Sequence, residues 1–246
     1  MMFQFLKIVI IYFLRIVLRL LYVFPINKRR IVFTSYSGRQ YSCNPKYIFE
    51  YAYNKFGDKF EYVWCLNDKK IFSGAYLNIK FCSFLSLRYV YYVMTARYII
   101  TNGSIEPFFP LRKNQSVVYT WHGGGAYKKI GNIDIYKWSK LIMRNMRSKM
   151  MRYVISSCKE FTKIHSTIWN VPQQIFLPFG MPRNDILFHH NTQITEKIYN
   201  YYNIDKRASL KTSVFRDDPL KKACFTACRT GNCKGTSKNN QFFEVP

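Results

Sequence analysis

In the stretch VVYTWHGGGAYKKIG, residues 117–131, an apolar run leads into His122, the glycines Gly123, Gly124 and Gly125 follow, and Lys128 and Lys129 stand just beyond. An imidazole titrates near ~6.5 and so can accept a hydroxyl proton at neutral pH. Glycines let a phosphate or a second backbone come close, and their N–H groups can turn toward an anion. Lysines add point charges suited to phosphate. This order of residue types fits a site that meets a phosphate.

Other chemistries ask for partners that the chain lacks. A His-Gly-Gly-Gly run serves as the oxyanion hole of some esterases, but those need a G-x-S-x-G elbow, and none occurs. The dinucleotide pattern G-x-G-x-x-G fails where Lys128 takes the place of the third glycine, and there is no G-x-x-x-x-G-K-[ST]. His165 falls within a predicted helix and His189 and His190 in a polar turn, so these three are read as structural or solvent-exposed. Cys43, Cys65, Cys82 and Cys158 stand singly among apolar residues, as reduced buried thiols do in the cytosol. Cys224, Cys228 and Cys233 match no zinc spacing. Neither a metal nor a cofactor is expected.

The elements that must position His122 follow from hydrophobic periodicity. Short runs rich in Val, Ile and Tyr (31–35, 60–66, 97–103, 116–123, 152–157, 174–180) alternate with helical patterns (45–56, 84–95, 136–150, 159–168). That alternation predicts a doubly wound, Rossmann-like α/β domain over residues 30–205, with a parallel sheet covered on both faces. In such a sheet the loops after the strands share one carboxyl edge. Tyr36 to Arg39, Asn102 to Ser104, His122 to Gly125, Ser156-Ser157 and Gly180 to Asp185 should therefore line one rim. Asn44, Ser156 and Ser157 read as helix caps. The helix over 136–150 places Lys137, Lys140, Arg144 and Arg147 opposite Trp138, Ile142, Met146 and Met150, so its apolar stripe should face the core and its basic side a polyanion.

The chain has 246 residues, 48% of them hydrophobic, and 38 Lys+Arg against 13 Asp+Glu for a formal charge of +25, which favours anionic partners. No nucleic-acid module is present to make that partner DNA or RNA. Residues 1–29 hold an apolar segment interrupted by Lys7, Arg15 and Arg19, too broken to span a bilayer. At 100° per residue, Gln4, Lys7, Arg15 and Arg19 fall within about 120° of one another, leaving a wide apolar face of the kind that lies in a membrane interface. The following Lys28-Arg29-Arg30 suits anionic headgroups.

Taken together, TWHGGGAYKKIG, the TNG that ends an earlier strand and LPFGMPRNDILF resemble the CDP-glycerol glycerophosphotransferase family of teichoic-acid synthesis, over about residues 30–203. The resemblance implies the acceptor-side half of a two-domain GT-B architecture. It implies transfer of glycerol phosphate from CDP-glycerol to a hydroxyl of a lipid-linked or polymeric acceptor, with release of CMP. His122 takes the place of the family's general base. Asn102, Gly103, Gly123, Gly124, Gly125, Lys128, Lys129, Arg183, Asn184 and Asp185 become the expected substrate-binding residues. Gly124-Gly125 stand where many members have Thr-Pro. Residues 206–246 are too few for a second doubly wound domain and show no structural period, so an irregular, truncated or frame-shifted remnant of the nucleotide-binding domain is expected there. The implied location is peripheral, on the cytoplasmic face of the cell membrane, with a homo-oligomer left open. The competing reading is a non-catalytic basic protein that binds anionic glycopolymer or lipid.

Overall fold

The computed structural model of the chain describes residues 2–123, 138–187, 196, 200 and 201. Seven strands, β1 (Asn27–Thr34), β2 (Glu61–Cys65), β3 (Lys80–Cys82), β4 (Ala96–Thr101), β5 (Ser116–Tyr119), β6 (Met151–Ile155) and β7 (Phe176–Leu177), form one parallel sheet in the order β3-β2-β1-β4-β5-β6-β7. The helices are α1 (Met2–Leu18), α2 (Cys43–Phe56), α3 (Leu87–Thr95), α4 (Trp138–Met150) and α5 (Lys159–Trp169). β3 is the strand that the sequence pattern did not reveal.

Alternation along the strands sorts the core into two layers. Val32, Val63, Cys65, Ile99 and Val117 pack with Tyr89 and Val93 of α3 on one side. Ile31, Phe33, Tyr62, Trp64 and Ile100 pack with Phe49 of α2 on the other. Two covered faces explain why the central strands read as apolar runs. Cys43, Cys65 and Cys82 are buried free thiols, and Cys158 is half-buried.

β1 lies between β2 and β4 because the chain returns through α3 to the far side of β1. Loops leaving β1 and β4 at the carboxyl edge therefore diverge, the topological switch point at which open α/β sheets bind ligands.

The chain from β4 to β5 carries no helix among residues 102–115, and α1 covers it instead. Arg15 Nη1 donates to the carbonyl oxygens of Pro107 (2.5 Å) and Phe109 (2.9 Å), and Tyr22 Oη donates to that of Pro110. Ile8 and Ile11 are buried, and Gln4 Oε1 accepts from Ser139 Oγ of α4 at 3.1 Å. The inward stripe of α1 thus includes Gln4 and Arg15, which the sequence pattern grouped on the polar side of the helix. Phe5, Ile10, Phe13, Ile16 and Leu20 point outward and exposed.

Two further expectations fail at the surface. In α4 the buried residues are Ser139, Ser148 and Met150, while Trp138 is exposed and Arg144 and Arg147 are half-buried, so its basic side does not simply face outward. The cause is the small-residue contact with α1 and α5, where Ser148 Oγ donates to Trp169 O. Of the Lys28-Arg29-Arg30 cluster, Arg29 is held by the carbonyl oxygens of Asp58 and Lys59. Arg30 is buried against Glu61 and Thr95. Of the three, Lys28 and Arg29 remain exposed, and Arg30 is withdrawn from the surface.

Arg30 and Lys80 both reach Glu61, tying β1, β2 and β3 together at the amino edge. Burial alone would raise the Glu61 carboxyl, but hydrogen bonds from Arg30 and Lys80 outweigh it and hold it below the ordinary carboxylate range. A depressed acid adds stability at neutral pH that is lost as pH falls through the folded value. Glu61→Gln is expected to cost roughly 2–3 kcal/mol at neutral pH, below the range for a fully enclosed pair because Glu61 keeps 21% side-chain exposure. It should also flatten the fall in Tm below the carboxylate range, as thermal melts over a pH series would show.

Candidate functional site

The carboxyl edge around the switch point is built from side chains that complete the backbone. Where parallel strands diverge, their last N–H and C=O groups lose ladder partners and need substitutes. Asn102, directly after β4 and fully buried, supplies two: its Oδ1 accepts from Tyr36 N at 2.9 Å and its Nδ2 donates to Ser35 Oγ at 3.1 Å. The loops after β1 and β4 are thereby fastened to each other.

Asn44 supplies the rest. In the first turn of α2 and fully buried, it donates from Nδ2 to the carbonyl oxygens of Thr120 (3.0 Å) and Trp121 (3.1 Å), with Met181 Sδ at 3.5 Å. Its Oδ1 accepts from Arg183 N at 3.2 Å. The reading of Asn44 as a helix cap is corrected: Ser42 is the N-cap residue of α2, and Asn44 spans the loop after β5 and the turn after β7.

Strain concentrates on the same rim. Tyr36 (φ 47°), Ser37 (φ 56°), Cys43 (φ 60°) and Trp121 (φ 52°) are non-glycine residues in the left-handed region. Each costs on the order of 1–2 kcal/mol, which the surrounding bonds must overcome. Gly38 (φ 79°) is closely surrounded, since a Cβ would come 3.2 Å from Asn67 Oδ1 and from Phe84 Cβ and those neighbours would have to give way.

His122 is exposed at the mouth of this construction. Its ring lies 4.1 Å from that of Trp121 and 5.8 Å from that of Tyr36. Nδ1 sits 3.1 Å from the carbonyl oxygen of Asn102. A carbonyl only accepts, so the neutral imidazole carries its hydrogen on Nδ1 and keeps the lone pair on Nε2. Arg183 Nη1 donates to His122 O at 2.9 Å and lies 3.5 Å from Cys43 Sγ, which ties a guanidinium to the backbone of the histidine loop. Burial and the adjacent Cys43 thiol push the Tyr36 phenol up, with Arg183 pulling it partly back, so Tyr36 is a neutral neighbour at pH 7. A proton acceptor and a cation share one open edge.

His165 is a core residue, as the sequence suggested. It is fully buried, stacks on Phe161 at 3.8 Å, packs against Trp169 and backs Trp121 at 5.9 Å. Burial holds its imidazole below the ordinary value despite the hydrogen bond to Phe161 O.

The structure brings together His122, Asn102 and Arg183 of the expected set. Asn102, expected to bind substrate, is enclosed with both side-chain ends committed, so it positions the loops and does not face the mouth. Gly103 is half-buried and exchanges 3.0 Å bonds with Thr101 Oγ1, and half-buried Gly123 follows His122. Asn184 and Asp185 are exposed in the turn Pro182–Leu187 and fall in a second compact unit made of Cys158–Glu160 and the chain from Asn184. Gly124, Gly125, Lys128, Lys129, His189 and His190 lie outside the described residues. Sequence reasoning missed Asn44 and Cys43. Their signal was position, since the first turn of a helix that follows a strand lies at the carboxyl edge.

A sequence model described as CDP-glycerol:poly(glycerophosphate) glycerophosphotransferase matches residues 16–228. The chain belongs to that family. A teichoic acid poly(glycerol phosphate) polymerase of Bacillus spizizenii is 30% identical over 219 residues, covering 82% of this chain and 54% of the relative. A teichoic acid glycerol-phosphate transferase of Staphylococcus aureus is 28% identical over 207 residues, covering 78% and 51%. The chain thus spans about half the length of these curated relatives. A solved structure of the wall teichoic acid polymerase TagF, in a histidine-to-asparagine variant, shares the fold, with a TM-score of 0.66 at 23% identity over 84% of this chain and 54% of that one. The Rossmann-like α/β class expected from the sequence is the class observed in this glycerophosphotransferase family member.

Asn102→Ala would strand the buried Tyr36 N–H and release Ser35, at an expected cost of about 2–4 kcal/mol. Denaturant unfolding should show a lower midpoint with an unchanged slope. A change under about 0.5 kcal/mol would mean that the loops do not depend on this side chain.

Proposed function

We propose that the chain takes part in transfer of glycerol phosphate from CDP-glycerol to a hydroxyl of a lipid-linked or polymeric teichoic-acid acceptor, with His122 as general base. One observation carries the reading: an exposed imidazole at the switch point whose Nδ1 is tied to the Asn102 carbonyl, leaving Nε2 as the acceptor on a loop whose carbonyl holds a guanidinium. The acceptor oxygen bonds to the phosphorus next to glycerol as the bond from that phosphorus to the bridging oxygen breaks. The hydroxyl proton passes to His122 Nε2, and CMP departs with the bonding electron pair. Arg183 lies where a cation can offset charge on the equatorial oxygens. Gly123, Gly124, Gly125, Lys128 and Lys129 are assigned to the same phosphate, and Asn184 and Asp185 to substrate binding.

Residues 30–205 handle the acceptor in this reading, and residues 1–29 hold the protein at the cytoplasmic membrane surface. No helix among the described residues is long and apolar enough to cross a membrane. The outward side chains of α1 instead offer a continuous apolar face, and the charge of +25 suits an anionic leaflet and an anionic polymer.

Transfer of label from glycerol-labelled CDP-glycerol to a lipid-linked acceptor tests the activity. His122→Ala should lower it by about 10²- to 10⁴-fold, the usual contribution of a general base. Vesicle binding without any turnover by the unaltered chain would support the non-catalytic reading instead. For the membrane, Phe13→Glu with Ile16→Glu should cut co-sedimentation with anionic vesicles by roughly 100-fold or more, since each buried side chain is worth ~1.5–3 kcal/mol. The Tm should stay unchanged because both residues are largely exposed.

A further inference from the structure

We propose that Asn44 is a positioning residue for the base: it fixes the peptide planes that precede His122, so that the imidazole presents Nε2 alone as its proton acceptor. The inference rests on the reading of His122 as the base and deepens it.

The bonds of Asn44 leave one assignment of its amide. Arg183 N–H is a donor and must meet Oδ1, whereas the carbonyl oxygens of Thr120 and Trp121 are acceptors and must meet Nδ2. No other residue of this size offers two donors and an acceptor at these three points. Aspartate lacks the donors, and leucine lacks both.

What those bonds hold is the approach to His122. The Thr120 carbonyl belongs to the peptide entering Trp121, and the Trp121 carbonyl to the peptide entering His122. Between them lies the left-handed Trp121 (φ 52°), a conformation that the tryptophan side chain disfavours. Arg183, whose own N–H is bound by Asn44, returns through Nη1 to the carbonyl of His122 itself. Successive carbonyls of residues 120, 121 and 122 are thus all held, either by Asn44 or by the residue that Asn44 holds. With the backbone fixed, the ring reaches the Asn102 carbonyl through Nδ1 at 3.1 Å. Released from Asn44, Trp121 can relax out of the left-handed region, the ring leaves Asn102, and the hydrogen is free to sit on either nitrogen. Asn44 also joins the turn after β7 to the histidine loop, so the two segments that carry Arg183 and His122 move as one.

The test reads the tautomer directly and needs no turnover. The chain has four histidines, so 15N-histidine labelling gives a small set of ring signals, assigned for His122 by its loss in His122→Gln. About two pH units above the ordinary imidazole value the rings are neutral, and multiple-bond 1H–15N spectra separate the two tautomers. The unaltered chain should show His122 with hydrogen on Nδ1. Asn44→Asp keeps the shape and the acceptor but loses both donors, and should give a mixture of tautomers; Asn44→Ser carries the same expectation should the aspartate variant not fold. In the transfer assay both should lower kcat by about 10- to 100-fold with KM nearly unchanged, as loss of alignment at the reacting atoms predicts. A purely structural asparagine would lower Tm and leave the tautomer alone. Retention of the Nδ1–H form in a folded Asn44 variant overturns the inference. If the tautomer moves but the unaltered chain transfers nothing, the positioning stands and the reading of His122 as base falls.

Discussion

The site depends on one constraint, that the backbone groups released where parallel strands part must find partners where water reaches them poorly. At the switch point beside β1 the released groups belong to Tyr36, Thr120, Trp121 and Arg183, and their partners are the amides of Asn44 and Asn102, with Thr101 O accepting from Thr120 N. A side-chain amide suits this role because it donates at one end and accepts at the other. The left-handed residues around it become affordable only because these bonds leave no competing conformation. His122 then inherits its orientation from the fold, and its exposure is an opening in an otherwise satisfied surface.

The same economy shapes the face on which α1 lies. The chain from β4 to β5 supplies carbonyls but no helix, and Arg15 answers them. Turning that arginine inward leaves Phe5, Phe13, Ile16 and Leu20 pointing away from the domain, a surface with no use in water. In the proposed function this face meets lipid, while the carboxyl edge meets a phosphate. In that proposal a lipid-linked anionic acceptor would use both surfaces, since it sits where membrane and polymer meet.

Periodicity revealed the alternating architecture because strands buried on both faces and one-sided helices write their contacts into the local sequence. It did not reveal β3, whose Lys80-Phe81-Cys82 is three residues long and carries no period. The inward turn of Arg15, the pairing of Arg30 with Glu61 and the serine contacts of α4 depend on partners from distant segments. Local charge patterns therefore misplaced them. For the site, the position of His122 at the carboxyl edge was legible from the strand before it, and Arg183 was legible through the family pattern. Asn44 was hidden because an asparagine near a helix start is ordinarily a cap. Only the packing of α2 against the rim separates a cap from a crosslink.

The central claim is that the rim is assembled before any ligand arrives. Native-state hydrogen exchange at the amides of Tyr36, Thr120 and Arg183 tests it most directly, since their acceptors are Asn102 Oδ1, Thr101 O and Asn44 Oδ1. The account predicts protection close to that of the central strands in the ligand-free chain, with opening free energies near the global value. Exchange at the rate of an exposed loop, with protection appearing only after substrate is added, would contradict it.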